Sequence, residues 1–293
     1  YNFAHIIDDY EMKVTHVIRG AEYVASTPKY LSLYEALEIT PPILAHVPHI
    51  LAPSGNKKLG KRDGAKSVTE YRDDGILPEA MLNFLAQLGW NDGTDQDIYT
   101  LDELIEKFSL DRVQKSGARF DEQRLIWLNG QWIRRISLDD LFERVRDFWG
   151  KNAQKASEEY RREVLGLVFD RLKTLKDLPL ASEYFFVEQK VDLEMILQNK
   201  QLKKLEKVQI VDLLSSAIYK FDKVKEWNDD TIQTSLNELL EETGQKPGIL
   251  FQLVRIALTW APFSPALNQT LCVIGQSESL RRLNNSLQEI EKM

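Results

Sequence analysis

From Leu138 to the C-terminus the sequence carries almost no strand pattern, and nothing else in these 293 residues constrains the fold as strongly. Apolar residues recur at helical spacing over 139–149, 157–174, 202–221, 230–243, 248–260, 265–274 and 277–290. That half of the chain has to be an array of amphipathic helices packed on one another. Pro179, Pro247, Pro262, Pro265 and Gly275 punctuate it. The first fifty residues alternate instead. The runs 4–8 and 15–19 read as short strands around a polar turn, Ser26-Thr27-Pro28 opens a helix to Leu37, and 43–47 and 50–51 read as extended. Such alternation predicts the edge of a nucleotide-type α/β sheet, whose ligand crevices lie at the carboxyl ends of the strands. Between these regions, 77–90 predicts an amphipathic helix with a glycine stop. Thr100 and Glu103 form a capping box opening 101–108, and 121–128 predicts a further helix.

Composition narrows the class. No run approaches the roughly 20 apolar residues that span a bilayer, and no secretory signal opens the chain, so a cytoplasmic protein with no membrane partner is expected. Cys272 is the single cysteine and reads as a small apolar residue, which excludes a disulfide within the chain. His5, His16, His46 and His49 lack the i, i+4 spacing of a helical metal pair, so no metal site is expected. The sequence starts at Tyr1 without an initiator methionine, inside a run read as a strand, and the expectation is a portion of a longer polypeptide.

Between the two regions lies a basic stretch, Asn56 to Lys66, in which Lys57, Lys58, Lys61, Arg62 and Lys66 oppose only Asp63 in a chain of net charge −7. Positive charge concentrated against the general balance suits a loop that handles polyphosphate; a solvated surface loop is the alternative. Arg19 and Glu22 stand where the second strand runs out. Arg19 there reads either as an anion contact or as half of a surface salt bridge.

Lys58-Leu59-Gly60-Lys61-Arg62 resembles the second signature motif of class I aminoacyl-tRNA synthetases, K-M-S-K-S, often K-L-S-K-R in glutamyl enzymes. Around it, Tyr1-Asn2-Phe3-Ala4, Thr15-His16-Val17-Ile18-Arg19-Gly20, Ser26-Thr27-Pro28, His46-Val47-Pro48, Gly75-Ile76-Leu77-Pro78-Glu79-Ala80 and Trp127-Leu128-Asn129-Gly130 fall in the order and spacing of bacterial-type glutamyl-tRNA synthetases. Tyr184-Phe185-Phe186 and Arg255-Ile256-Ala257-Leu258-Thr259 resemble that family's tail. The family's first signature motif, of H-I-G-H type, does not occur in these residues.

The resemblance implies a mainly α fold. Residues 1–53 would be the C-terminal edge of a Rossmann-like α/β catalytic domain, 54–137 a lysine-loop and tRNA stem-contact region, and 138–293 an α-helical anticodon-binding cage of two lobes, breaking near 180–190. It implies that the parent enzyme joins glutamate to tRNA(Glu) through glutamyl-adenylate, with ATP and Mg2+ as substrate, as a monomer. The piece alone would be inactive; a stand-alone tRNA-binding module is the alternative reading. By resemblance Lys61, supported by Lys58, contacts the ATP phosphates in the transition state. Leu59, Gly60 and Arg62 complete the ATP loop, and Glu22 stands near the ribose or adenine. Gly60 departs from the usual serine, which removes a hydroxyl and loosens the backbone. Arg19 and Tyr1 would bind glutamate, Tyr1 otherwise filling the core. Arg171, and less directly Arg134, would read the anticodon.

Overall fold

The computed structural model describes residues 1–60, 62, 64–261 and 263–292. Lys61, to which the sequence assigns the principal catalytic charge, and Pro262 therefore lie outside the described residues. The chain divides into two compact units, Tyr1–Trp132 and Ile133–Met293.

The first unit begins with helix α1 (Ala4–Glu11), followed by strand β1 (His16–Gly20), a 3₁₀ segment (Ala21–Ser26), helix α2 (Thr27–Ala36) and strand β2 (Ile43–Val47). Residues 4–8 are thus helical, which corrects the strand expected there. Two β-branched residues, Ile6 and Ile7, suggested extension, but Ile6 is fully buried against Tyr30 and Tyr34 of α2 while most of its neighbours face solvent. That one-sided burial needs a helical face. β1 and β2 pair in parallel, with Val17 opposite Leu44 and Arg19 opposite His46. Because side chains alternate across a strand, these four residues share one face of the pair, toward α1 and α2.

Next come α3 (Val68–Asp73), α4 (Pro78–Gln87), α5 (Leu101–Lys107) and α6 (Glu122–Ile133). Their termini are written in sequence: Ser67 with Glu70 and Thr100 with Glu103 form reciprocal capping boxes, and Pro78 occupies the first turn of α4. Two fully buried asparagines tie the layer together. The Asn129 side chain accepts the Leu77 N–H at 2.7 Å and donates to the Gly75 carbonyl at 3.1 Å, while Asn83 Oδ1 accepts from the Tyr99 N–H and Trp132 Nε1. Tyr71, Ile76, Phe84, Leu125 and Leu128 form the core between them.

The second unit contains α7 (Leu138–Arg144), α8 (Glu158–Val168), α9 (Leu178–Phe186), α10 (Glu194–Leu197), α11 (Lys207–Asp222), α12 (Asp229–Thr243), α13 (Pro247–Thr259), α14 (Leu267–Ile274) and α15 (Gln276–Glu291). Among the described residues it has no strand, as the periodicity predicts. Pro179 and Pro247 act as first-turn residues of α9 and α13 rather than as interruptions, since a helix start has no backbone donor to lose there. α15 is pinned by polar contacts: Trp260 Nε1 donates to Ser286 Oγ at 2.8 Å, Ser286 donates to the Ala257 carbonyl at 2.6 Å, and the buried Arg282 donates to the Tyr184 carbonyl and to Glu278. No helix is long and apolar enough to cross a membrane, among the described residues.

Candidate active-site cleft, lysine hairpin and arginine pair

The face shared by Arg19 and His46 floors a small cleft walled by His5 and Asp9 of α1 and by Thr27, Tyr30 and Tyr34 of α2. The Arg19 guanidinium lies 5.2 Å from the Tyr23 ring centre and 5.0 Å from that of Tyr30, an arrangement that holds a planar cation in place. Its Nη1 is buried and has no hydrogen-bond partner among the described residues. A buried donor left unpaired costs about 1–3 kcal/mol, a cost that an incoming carboxylate removes. The surface salt bridge that the sequence left open for Arg19 is not present among the described residues.

Tyr1 is 77% exposed, so it does not fill the core; its hydroxyl bonds to Tyr23, which raises its pKa, the Tyr23 charge adding to the effect. The Tyr1 and His5 rings lie 5.4 Å apart, and His5 meets Tyr30 edge to face at 4.7 Å. Tyr1, Arg19, Tyr23 and Tyr30 therefore form one contiguous group. Thr27 donates its hydroxyl proton to the Tyr23 carbonyl at 3.0 Å, so His46 Nε2, 3.0 Å from the same oxygen, is the donor there. Burial, then Asp9, pushes the Tyr34 hydroxyl up, keeping it a protonated donor to Asp9 at 3.4 Å.

Glu22 does not stand alone beside a nucleotide site. Its Oε1 takes Lys58 Nζ at 3.0 Å and its Oε2 lies 3.3 Å from His49 Nδ1, so the sequence's ATP-loop lysine and its candidate acid meet directly. The Glu22 backbone N–H, then Lys58, holds this carboxyl below its usual range. Gly20 makes room for it, because a Cβ at position 20 would collide with Glu22 Oε2.

Lys58 sits on a short hairpin. The Ala52 N–H donates to the Lys57 carbonyl and the Leu59 N–H to the Ile50 carbonyl, both at 2.8 Å, and Leu51 pairs with Lys58 antiparallel. Gly60 and Arg62 follow at the end of the hairpin, Arg62 exposed. Lys66, counted in the basic stretch by sequence, points elsewhere. Its ammonium bonds Glu122 at 2.7 Å and Asp74 at 3.1 Å, which holds its pKa well above the usual lysine range.

In the second unit, Arg171 ends a 3₁₀ turn (Phe169–Arg171) whose Asp170 carbonyl accepts from Arg134 Nη1 at 3.2 Å. The structure thus brings the two sequence-predicted anticodon residues to one turn. A third arginine, to which sequence reasoning gave no site role, lies close to Arg171. Arg255, within apolar α13, is half-buried; burial, then the nearby charge of Arg171, lowers its pKa, and while Nη1 donates to Gln252 Oε1 at 3.2 Å and Nη2 to the Pro265 carbonyl at 3.5 Å, its Nε is buried without a partner among the described residues. Beside the pair, the Tyr184 hydroxyl is also buried and without a partner among the described residues, its pKa raised chiefly by burial. The available signal was a lone arginine in Ile249-Leu250-Phe251-Gln252-Leu253-Val254-Arg255-Ile256-Ala257-Leu258, a charge where the helical pattern calls for core. Among the described residues, no three His, Cys, Asp or Glu side chains stand close enough to hold a metal ion.

Comparison with known proteins agrees with this division. The model of the family "tRNA synthetases class I (E and Q), catalytic domain" matches residues 1–127, and that of "Anticodon binding domain" matches residues 140–287. Glutamate–tRNA ligase 2 of Caldicellulosiruptor saccharolyticus is 35% identical over 99% of this chain and 59% of its own length. Glutamate–tRNA ligase 2 of Thermoanaerobacter pseudethanolicus is 36% identical over 100% of the chain and 61% of its own length. The crystal structure of a glutamate tRNA ligase from Elizabethkingia meningosepticum in complex with its amino acid superposes with a TM-score of 0.83 at 29% identity, covering 99% of this chain and 60% of that one. The chain therefore spans about three-fifths of the length of the curated relatives it matches.

Proposed function

This chain belongs to the class I tRNA synthetases of the glutamate and glutamine type, and from that premise we propose that its parent polypeptide attaches glutamate to the 3′ end of tRNA(Glu) through glutamyl-adenylate. A glutamate carboxylate oxygen attacks the α-phosphorus of ATP, pyrophosphate leaves, and the terminal ribose hydroxyl of the tRNA then displaces AMP from the acyl carbon. The observation that carries the reading is the buried, unpartnered Nη1 of Arg19, in a cleft whose neighbour Glu22 is already in contact with Lys58. Arg19 would clamp a glutamate carboxylate, and Tyr1, held by Tyr23, would flank it.

Lys58 and Lys61 would offset the charge that develops on the phosphate oxygens, and Leu59, Gly60 and Arg62 would line the same loop. For that, Lys58 has to leave Glu22, and a triphosphate offers it more negative charge than one carboxylate does. Glu22 would then be free to accept from the nucleotide's hydroxyl or amino groups. Mg2+ would enter as part of the nucleotide substrate, and no residue here is assigned to hold it. Arg171 and Arg255, with Arg134 fixing the turn, would meet the anticodon, since unstacked loop bases are read by arginine planes and edge hydrogen bonds. The domain limits proposed by sequence, 1–53, 54–137 and 138–293, follow these roles.

The test is glutamate-dependent ATP–pyrophosphate exchange by the complete polypeptide in the presence of tRNA, and by this chain alone. Exchange by the complete protein and none by the chain is the expected result; measurable exchange by the chain alone contradicts the proposed division of labour. A second reading, a tRNA-binding module, is favoured by the arginine pair, in which Arg255 Nε is buried without a partner among the described residues. Filter binding across a salt series tests it: affinity should fall steeply with salt, and absence of binding at low salt removes it.

A further inference from the structure

The lysine hairpin is held from the side by a segment far away in sequence. The Leu51 N–H donates to the Ala118 carbonyl at 2.8 Å and the Phe120 N–H to the Leu51 carbonyl at 3.0 Å, so residues 118–120 flank the hairpin through a parallel bridge between Leu51 and Arg119. Lys58, Leu51 and Arg119 are direct partners across this ladder and project from one face of it. From that face the Arg119 guanidinium reaches the tip of the hairpin: Nη1 donates to the Gly55 carbonyl and Nη2 to Asn56 Oδ1 at 3.1 Å. Gly117 permits the approach, because a Cβ there would fall 2.7 Å from the His49 carbonyl and 2.9 Å from Leu51 Cγ. Gly55, with φ of +75°, turns its carbonyl to where the guanidinium can take it.

We infer that Arg119 is a positioning residue for adenylate formation, fixing the hairpin from which Lys58 and the following motif are presented while touching no substrate itself. A planar fork is well matched to such a role, because it bonds two acceptors of one turn at once and so fixes both the position and the orientation of the tip. Loose lysines would still bind ATP phosphates in the ground state. They would miss the transition-state geometry, where displacements of about 1 Å can cost up to about a hundredfold in rate.

The inference rests on the proposed role of the lysines, and the experiment separates the two. Amide hydrogen exchange of this chain as wild type, Arg119→Ala and Arg119→Lys reads the hairpin without any activity. In Arg119→Ala the Ala52 and Leu59 amides should exchange about tenfold faster, with the amides of α11 to α15 unchanged; Arg119→Lys, which reaches one acceptor, should recover part of the protection. Unchanged exchange at Ala52 and Leu59 overturns the clamp.

In the complete polypeptide, Arg119→Ala should lower kcat of ATP–pyrophosphate exchange about tenfold and leave KM for glutamate unchanged, since Arg19 is untouched. A loosened hairpin with wild-type kcat overturns the positioning role. Lys61→Ala measured alongside reports on the parent reading: wild-type kcat in that variant overturns the role of the lysines, and the hairpin's exchange rates tell that failure apart from failure of the clamp.

Discussion

Two sites, one in each unit, handle positive charge in opposite ways. In the first, two cations of the basic stretch are partnered, Lys58 by Glu22 and Lys66 by Glu122 and Asp74, all at partly exposed positions where an ion pair exchanges readily with solvent or ligand. In the second, Arg255 sits half-buried next to Arg171, with no partner for its Nε among the described residues and with its charge disfavoured by burial and by its neighbour. Exchangeable pairs suit a loop that takes hold of phosphate only as a reaction proceeds. A preformed deficit of partners suits a surface that recognises a ligand once and keeps its shape. Arg19 combines the two, a cation held by aromatic rings with one donor left open.

The largest effect expected from breaking this contrast is on the reactive side. Lys61→Ala in the complete protein should slow glutamate-dependent ATP–pyrophosphate exchange by about a hundredfold or more with little change in KM for glutamate, because in the proposed mechanism its charge is used in the transition state. Equal loss in kcat and in glutamate affinity would mean that the lysine acts in binding. Arg19→Gln should do the reverse, raising KM for glutamate by about tenfold to a hundredfold, the range for a charge-assisted bond to a carboxylate. An unchanged KM would remove Arg19 from the amino-acid pocket.

On the recognition side, Arg255→Met should weaken tRNA binding by about tenfold yet leave the thermal midpoint of the second unit unchanged or raised, since replacing a desolvated, poorly paired charge by an apolar chain of similar length is often stabilising. A lowered midpoint together with intact tRNA affinity would make Arg255 structural. The smallest effect concerns acid. Arg281, then Arg282, holds the Glu278 carboxyl down at about 2, against about 4.3 for an unfolded chain. Stability from this carboxylate is complete above the unfolded value and lost as pH falls from about 4 toward 2. Glu278→Gln should therefore flatten the acid limb of helix loss in that window; an unaltered limb would place the acid sensitivity elsewhere.

Much of this was legible in the sequence where one rule dominates locally. Amphipathic spacing located the long helices of the second unit, and the Thr100–Glu103 box marks the start of α5. Misreadings arose where local signals pointed two ways. Ile6 and Ile7 favour a strand until burial against Tyr30 and Tyr34 imposes a helical face on them. Pro179 reads as a break until the helix starts at it, and α9 was invisible for that reason. Lys66 was indistinguishable by charge from the other cations, because its partners Asp74 and Glu122 come close only through the packing of α3 and α6. Resemblance proposed Arg19, Glu22, Lys58 and Arg171 for the site; the structure places Arg19 in the cleft and Glu22 against Lys58. Contacts between distant residues, such as Glu22 with Lys58 or Arg119 with Gly55, have no local signature and needed the fold.

The role of the lysine loop in activating glutamate is decided by ATP–pyrophosphate exchange of the complete polypeptide with tRNA present, with and without glutamate, for wild type and Lys61→Ala. Exchange should require glutamate and fall about a hundredfold or more in the variant. Exchange independent of glutamate, or undiminished in Lys61→Ala, would contradict that role.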